Sequence, residues 1–300
     1  MFIINHRKLF FTLSGLLVLG SVIAMFMYGL NFGIDFKGGS VLEVSYPNGR
    51  PSLDTVQNNL SGLIQGDVNP LGTYIVSPTG QKNYIIKTKE LTPALKTLVM
   101  QVLSSDQNNI PTEVRFNSLG PVVGAQLKNK ALTAIAVVII CIVLFITFAF
   151  RKVSYPVASW KYGFATIIAL AHDVIIPTGV FVVWTHFYGG EIDLLFVTAL
   201  LAILGYSVHD TIVVFDRVRE NLRLGKDNES FTETVGKSVT QTFGRSINTS
   251  LTIFLALVAL YFLGGTTTKD FAFVLLVGVI TGTYSSIFVA SPLLVTLQKK

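Results

Sequence analysis

Residues 205–221 read GYSVHDTIVVFDRVREN and form the end of an apolar run that begins at Leu194. His209 and Asp210 lie inside the hydrophobic part of this run, and beyond Phe215 the sequence becomes acidic and basic. On insertion scales an ionisable residue at the centre of a membrane span costs roughly 2.5–3.5 kcal/mol, so such a residue is a functional-site hypothesis by default. Asp210 is therefore the first candidate functional residue of the chain.

The composition around this stretch is that of a membrane protein. Hydrophobic residues make up 51% of the chain and charged residues only 13%, whereas charged residues are about 25% of a typical soluble domain. A mostly lipid-embedded chain of this kind is not expected to bind nucleic acid. The single cysteine, Cys141, lies in an apolar run, which excludes a disulfide framework and a cysteine-based metal site.

Hydropathy predicts six transmembrane helices in an α-helical polytopic protein. Their approximate ranges are 9–30, 132–150, 162–184, 194–215, 247–263 and 271–294. As a helix the first run would be about 33 Å long, which is enough to span a bilayer. Signal peptides have shorter apolar regions of roughly 7–15 residues. We therefore expect residues 1–30 to be a cytoplasmic stub followed by an uncleaved first span, and residues 130–300 to form a five-helix domain.

The basic residues of the short loops predict the orientation of the chain. On one side of the predicted membrane lie Arg7, Lys8, Arg151, Lys152, Lys161, Arg217, Arg219, Arg223, Lys226, Lys237, Arg245, Lys299 and Lys300. On the other side, the loop of residues 186–193 has neither Lys nor Arg, and the loop of residues 264–270 has only Lys269. Both termini and a segment at about residues 216–246 are therefore predicted to be cytoplasmic, and residues 31–129 are predicted to lie outside.

The outer segment has the pattern of a small folded domain. Strands are predicted at residues 41–46, 73–76, 84–87 and 112–116, and helices at residues 52–64 and 92–103. The order β-α-β-β-α-β is the ferredoxin-like arrangement of an α+β domain. No cluster of histidine, cysteine and carboxylate residues marks this domain as catalytic. We expect a binding domain or a lever.

Four motifs resemble a known family. They are Gly33-Ile-Asp-Phe-Lys-Gly-Gly39, Gly120-Pro-Val-Val-Gly124, residues 205–221, and Arg245-Ser-Ile-Asn-Thr-Ser250. In this order they are similar to the motifs of the SecD/SecF family of protein-export membrane proteins, although asparagine is common in the family where this chain has His209. The resemblance covers the whole chain and implies the SecF-type, six-span half of an RND-type transporter, with its outer domain in the bacterial periplasm and its helices in the inner membrane.

The same resemblance implies a function and partners. It implies that the chain works with SecD and the SecYEG translocon, with YajC as a further partner, on unfolded exported polypeptides. It also implies use of the proton-motive force to promote late translocation and release. Protons would be the coupling ion, and no other cofactor is expected.

Asp210 and Arg245 form the first predicted site. Both lie towards the cytoplasmic side, so the arginine at the start of the fifth span can approach the carboxylate. A nearby cation favours the ionised carboxylate, so movement of Arg245 would load or release a proton. The alternative is a static ion pair, or a carboxylate bonded to hydroxyls, that holds helices together. The proton-coupling residues predicted here and below are Asp210, Arg245, His209, Asp173, His172, Asn248 and Thr249.

Two other sets of residues leave alternatives open. His172 and Asp173, in the middle of the third span, suit a polar relay or a helix-fixing contact. Two His-Asp pairs also suggest a metal site, but adjacent helical residues point about 100° apart, so we do not expect one. At the membrane surface, the segment with Gly33, Asp35, Gly38 and Gly39 is either a flexible turn or a hinge for the outer domain.

Three functions remain from the residues. The first is a proton-driven export subunit, and the second is a non-transporting scaffold that docks the outer domain beside a partner complex. The third is a proton-driven exporter of small solutes. An enzyme is not expected, because Ser207 and His209 face different sides of a helix and no zinc-protease or phosphate-binding motif is present.

Overall fold

The computed structural model describes residues 1–64, 69–151, 157–224 and 229–298. Lys152, Lys226, Lys299 and Lys300, which contributed to the predicted orientation, lie outside these ranges. The chain forms two compact units. One consists of Phe32–Ala131, and the other combines Met1–Asn31 with Leu132–Lys300.

Eleven helices and four strands make up the described part of the chain. The helices are α1 Phe2–Asn5, α2 Arg7–Tyr28, α3 Ile34–Lys37, α4 Leu53–Ser61, α5 Pro93–Leu103, α6 Pro121–Ala149, α7 Ser159–Tyr188, α8 Leu194–Leu224, α9 Phe231–Leu263, α10 Thr266–Ser285 and α11 Ser291–Leu297, with a π-helical turn at Ser286–Ala290. The strands are β1 Gly39–Ser45, β2 Ile75–Thr79, β3 Asn83–Thr88 and β4 Thr112–Leu119.

Within the described ranges, six helices are long and apolar enough to cross a membrane, which confirms the predicted polytopic fold. They are α2, α6, α7, α8, α9 and the continuous stretch Thr268–Leu297. Helices α8 and α9 extend well beyond the predicted spans, so most of the segment of residues 216–246 is a continuation of these two helices. Ser230 and Glu233 form a capping box that starts α9 at Phe231, sixteen residues before the predicted span.

The unit of Met1–Asn31 and Leu132–Lys300, here called the membrane unit, has three central helices and three peripheral ones. About half of the most apolar window of α7, α8 and the last span is buried (50–56%), against 6–11% for α2, α6 and α9. Helix α10 packs closely on α8 because two glycines lie between them. A Cβ on Gly278 would overlap Ile203, and one on Gly282 would lie 3.2 Å from the Cβ of Ser207. Small residues of this kind allow membrane helices to approach closely.

The unit of Phe32–Ala131, here called the outer unit after its predicted position, contains the predicted ferredoxin-like fold. Its antiparallel sheet has the order β2-β3-β1-β4. Side chains of β1 and β3, such as Leu42 and Ile86, pack with Leu60 of α4 and Val99 of α5 in one buried core. Thr92 caps α5 by accepting a hydrogen bond from the Leu95 N–H.

The glycines of the first motif lie in a tightly packed turn of this unit. Gly33 precedes α3 in an extended conformation, and Asp35 lies in the first turn of that helix. Gly38 has φ 78° and ψ 161°, a conformation that essentially only glycine adopts. A Cβ on Gly38 would lie 2.7 Å from the Pro121 backbone, and one on Gly39 would lie 2.6 Å from the Thr88 carbonyl oxygen. Close approach of backbones, in addition to positive φ, therefore requires glycine here.

We predict that Gly38→Ala destabilises the outer unit. The strained φ alone costs about 1–3 kcal/mol, so amide hydrogen exchange in β1 should accelerate roughly 5- to 150-fold. Gly49→Ala is the matched control, since Gly49 has φ 101° but open space around its Cβ position. A smaller acceleration is expected in the control. Equal effects of the two substitutions would show that the contact with Pro121 contributes nothing.

A second pair of substitutions tests the packing of α10 on α8. Gly278→Ala should lower the unfolding temperature of the purified chain in detergent, because overpacking typically costs about 1–3 kcal/mol. Gly205→Ala, at a helical glycine with open space, should leave that temperature unchanged or raise it. Fluorescence of Trp160 and Trp184 reports the transition. If Gly278→Ala unfolds at the wild-type temperature, the close approach is not needed for stability.

Candidate functional site

Helix α8 presents polar side chains on two faces inside the membrane unit. Towards α9, the Tyr206 hydroxyl lies 2.6 Å from that of Ser250, and Asp210 contacts Ser246. On the other face, Ser207 contacts Asp173 of α7, and Thr211 contacts Ser286 of the π-helical turn. Tyr206 and Asp210 are four residues apart and so share one face of the helix, and the same holds for Ser207 and Thr211.

Asp210 is buried and incompletely bonded. Its side chain is 6% exposed. Oδ1 accepts a hydrogen bond of 2.5 Å from the Ser246 hydroxyl. Oδ2 is buried and has no hydrogen-bond partner, and Asp210 forms no ion pair, among the described residues. One donor compensates a carboxylate poorly in a low-dielectric interior. Oδ2 is thus the atom at which this group can hold a proton.

Arg245 is not the hydrogen-bond partner of Asp210 in this structure. Ser246, the next residue along α9, occupies that position, and Arg245 is exposed. Neighbouring helical residues point about 100° apart, so a helix that directs Ser246 towards α8 turns Arg245 away. His209 is exposed for the same reason. Both side chains still lie close enough to interact electrostatically with Asp210.

From the sequence we selected the polar face of α9 that is exposed in the structure, and we missed the polar face that is buried. Asn248 and Thr249 are exposed together with Arg245. The buried face carries hydroxyls at four-residue spacing, at Thr242, Ser246 and Ser250. That spacing was visible in the sequence and could have identified Ser246. It did not decide which face points inward, because both faces are polar.

Asp173 is more deeply buried and more fully bonded than Asp210. Its side chain is 0% exposed. Oδ1 accepts a hydrogen bond of 2.9 Å from His172 Nδ1. Oδ2 accepts hydrogen bonds from the hydroxyls of Ser207 on α8 and, at 2.6 Å, Ser285 on α10. This carboxylate therefore joins three helices.

The π-helical turn lets two consecutive serines bond inside the bundle. Ser285, just before the turn, donates to Asp173, and Ser286 lies 2.8 Å from the Thr211 hydroxyl. Ser291 donates to the Ser286 carbonyl oxygen five residues back. Single π-helical turns inside α-helices are frequent at functional sites. Neither Ser285 nor the turn was predicted as part of the site.

The remaining predicted residues are not gathered into one site. The two His-Asp pairs do not converge, since His172 is buried and His209 is exposed. Within the described ranges, no three His, Cys, Asp or Glu side chains are grouped as a metal site would require. Gly33, Asp35, Gly38 and Gly39 belong to the outer unit.

Comparison with protein families gives two matches along the chain. The family model described as protein export membrane protein SecD/SecF, C-terminal, matches residues 99–300. The SecD/SecF GG motif matches residues 23–46, which include the glycine-rich turn.

Curated relatives match nearly the whole chain. The protein translocase subunit SecF of Thermobaculum terrenum is 42% identical over 99% of this chain and 94% of its own length. The subunit of the same name from Anaerolinea thermophila is 36% identical over 98% of this chain and 92% of its own length.

Solved structures support the same relationship. The crystal structure of SecDF, a translocon-associated membrane protein from Thermus thermophilus, superposes with a TM-score of 0.81 at 31% identity. It covers 99% of this chain, which spans only 38% of that longer one. SecDF in its super-membrane-facing form gives a TM-score of 0.68. These matches confirm the resemblance carried by the four motifs, and the chain belongs to the SecD/SecF family of protein-export membrane proteins.

Proposed function

We propose that this chain is an accessory subunit of the Sec protein-export machinery that uses the proton-motive force to promote late translocation and release of polypeptides. The observation that carries the proposal is Asp210. It is a carboxylate buried in a membrane span, with one oxygen bonded to a hydroxyl and the other open to protonation. Intramembrane ionisable residues of this kind mark ion and proton pathways.

The proposed switch is an exchange of partners on α9. Ser246 and Arg245 are adjacent, so a limited rotation of α9 or a swing of the long Arg245 side chain would bring the guanidinium to Asp210. With Arg245 away, a protonated and neutral Asp210 is favoured in the apolar interior. With Arg245 close, the ionised carboxylate is favoured and the proton leaves. The two states differ in helix position, which converts proton movement into mechanical movement.

The proton-motive force would supply the energy for such a movement. Each charge that crosses 100 mV yields about 2.3 kcal/mol. Gly120 is the only residue between β4 of the outer domain and α6. A displacement of α6 would therefore reach the outer domain through a short covalent connection, and that domain would pull on the exported polypeptide.

The exposed polar stripe of α9 supports SecD as the partner. Arg245, Asn248, Thr249 and Thr252 are all exposed on this membrane-spanning helix. Polar side chains in membrane spans almost always face a protein interior or a water-filled cavity. A second six-span half would cover them, in keeping with the match to part of the longer SecDF chain.

The proposal includes a cellular setting. SecDF is described as translocon-associated, so we place this chain beside the SecYEG translocon in the inner membrane, with YajC as a further expected partner. Basic residues at the N-terminal end of α2 (Arg7, Lys8) and in the last turns of α8 (Arg217, Arg219, Arg223) support cytoplasmic termini and a periplasmic outer domain.

Asp210→Asn tests the proposal directly. The substitution nearly keeps the shape of the side chain but removes its titration. We expect the complex with SecD to assemble normally while export into vesicles loses its uncoupler-sensitive part. Ser246→Ala is the matched control, because it removes the hydrogen-bond donor and keeps the titrating group, so it should retain part of that export. Normal uncoupler-sensitive export by an assembled Asp210→Asn complex would leave only the scaffold function.

Arg245 offers an independent test of the partner exchange. Arg245→Gln should reduce uncoupler-sensitive export to the level of Asp210→Asn, whereas Arg245→Lys, which keeps the charge, should preserve part of it. If the two residues act in one step, the double variant Asp210→Asn, Arg245→Gln should be no worse than either single variant. Additive losses, or wild-type export by Arg245→Gln, would contradict the exchange.

A further inference from the structure

His172 and Asp173, here called the His172–Asp173 dyad, form a second buried acid–base pair in the membrane unit. The two side chains are 4% and 0% exposed. His172 Nδ1 lies 2.9 Å from Asp173 Oδ1. An ionised Asp173 can only accept, so Nδ1 of a neutral ring then carries the proton and donates it, and the lone pair is left on Nε2. Nε2 is itself buried and has no hydrogen-bond partner among the described residues.

The contacts of Asp173 suit an ionised carboxylate. It accepts three hydrogen bonds, from His172, Ser207 and Ser285. Hydrogen bonds donated to a carboxylate favour its charged form. With an ionised Asp173 and a neutral His172, the dyad carries one negative charge, and the donors from α8 and α10 stabilise it.

Aromatic, aliphatic and small polar side chains surround His172 among the described residues. Its ring stacks on Tyr284 of α10, with centroids 5.8 Å apart and an interplanar angle of 18°. It also lines a cavity of about 380 Å³ together with residues of α2, α7, α11 and the π-helical turn. Among the described lining residues, Ser14 is the only polar side chain besides His172, and none is acidic. Tyr284, Asp173 and His172 are thus the titratable groups that meet here.

We propose that the His172–Asp173 dyad is a second proton-binding site, used together with Asp210 and therefore resting on the function proposed above. The Nε2 lone pair takes up one proton, and neutral His172 becomes an imidazolium. The net charge of the dyad then changes from −1 to zero, because the imidazolium balances the carboxylate. Release of the same proton from Nε2 restores the negative state.

The position of the dyad links this step to Asp210. Ser207, which donates to Asp173, is one turn from Asp210 on α8, and it lies against Gly282 of α10. Proton uptake by the dyad removes its net negative charge, so the hydrogen-bond donors on α8 and α10 stabilise it less. Proton uptake at the dyad would loosen the junction of α7, α8 and α10, while uptake at Asp210 acts between α8 and α9.

Nitrogen-15 NMR of the full-length chain with its partner subunit in lipid nanodiscs tests the protonation step. The chain has four histidines, His6, His172, His186 and His209, and loss of one signal in His172→Asn assigns the dyad. We expect Nε2 of His172 to change from unprotonated to protonated as the pH falls from 9 to 5. An Nε2 that keeps one protonation state throughout this range overturns the proposal.

His172→Asn also separates titration from structure. The asparagine amide can donate to Asp173 from about the position of Nδ1, but it cannot take up a proton. We expect it to shift the pH profile of uncoupler-sensitive export and to leave uncoupler-insensitive export unchanged. A purely structural dyad would leave both unchanged, and a wild-type pH profile would overturn the proposal. His186→Asn, the same substitution at an exposed histidine on the same helix, is the control and should match the wild type.

The two proposals can fail separately. If Asp210→Asn keeps normal uncoupler-sensitive export, the proposed function fails, whatever His172 does. If Asp210→Asn abolishes that export and His172 does not titrate, the proposed function stands and only the second site is lost.

Discussion

The cost of burying a carboxylate among apolar helices governs the organisation of the membrane unit. An unpaired charge in such an interior is costly unless hydrogen-bond donors surround it. The chain provides these donors as small hydroxyl side chains on neighbouring helices. Asp173 receives Ser207 and Ser285 in addition to His172, and Asp210 receives Ser246. Helix α8 takes part in both arrangements and is the element to which α7, α9 and α10 are bonded.

Short donors of this kind work only where the helices are close together. Gly278 and Gly282 remove the side chains that would separate α10 from α8, so Ser207 and Ser285 can reach the same oxygen of Asp173. The π-helical turn then directs Ser286 to Thr211. Close packing and polar bonding thus depend on each other. In the outer unit, Gly38 allows a close approach of backbones between a turn and the start of α6, and Gly39 allows one to the Thr88 carbonyl oxygen of β3.

The difference between the two carboxylates follows from how completely each is bonded. Three donors and no exposure make Asp173 a junction of three helices. With one donor and one unbonded oxygen, Asp210 has room for a change of partner, and Arg245 is adjacent to the serine that it would replace. Asp210 therefore has two alternative partners within one turn of α9. One is the long cationic side chain of Arg245 on the exposed side, and the other is the short hydroxyl of Ser246 on the buried side.

The sequence by itself determined the six spans, the ferredoxin-like outer domain and the choice of Asp210 and Asp173 as candidate residues. These features depend on local properties, namely the length of apolar runs, the alternation of strands, and the cost of a charge within a span. The family motifs also lie in continuous stretches, so they could be recognised without a structure.

Only the tertiary structure decided which side chains meet. Helix α9 has polar residues on two faces, and helical spacing alone cannot choose between Arg245 with Asn248 and Ser246 with Ser250. Packing against α8 and α10 chose the serines, because only small side chains fit between helices that approach so closely. The three donors of Asp173 come from residues 172, 207 and 285. Contacts between residues so far apart along the chain arise from helix packing and not from any local pattern.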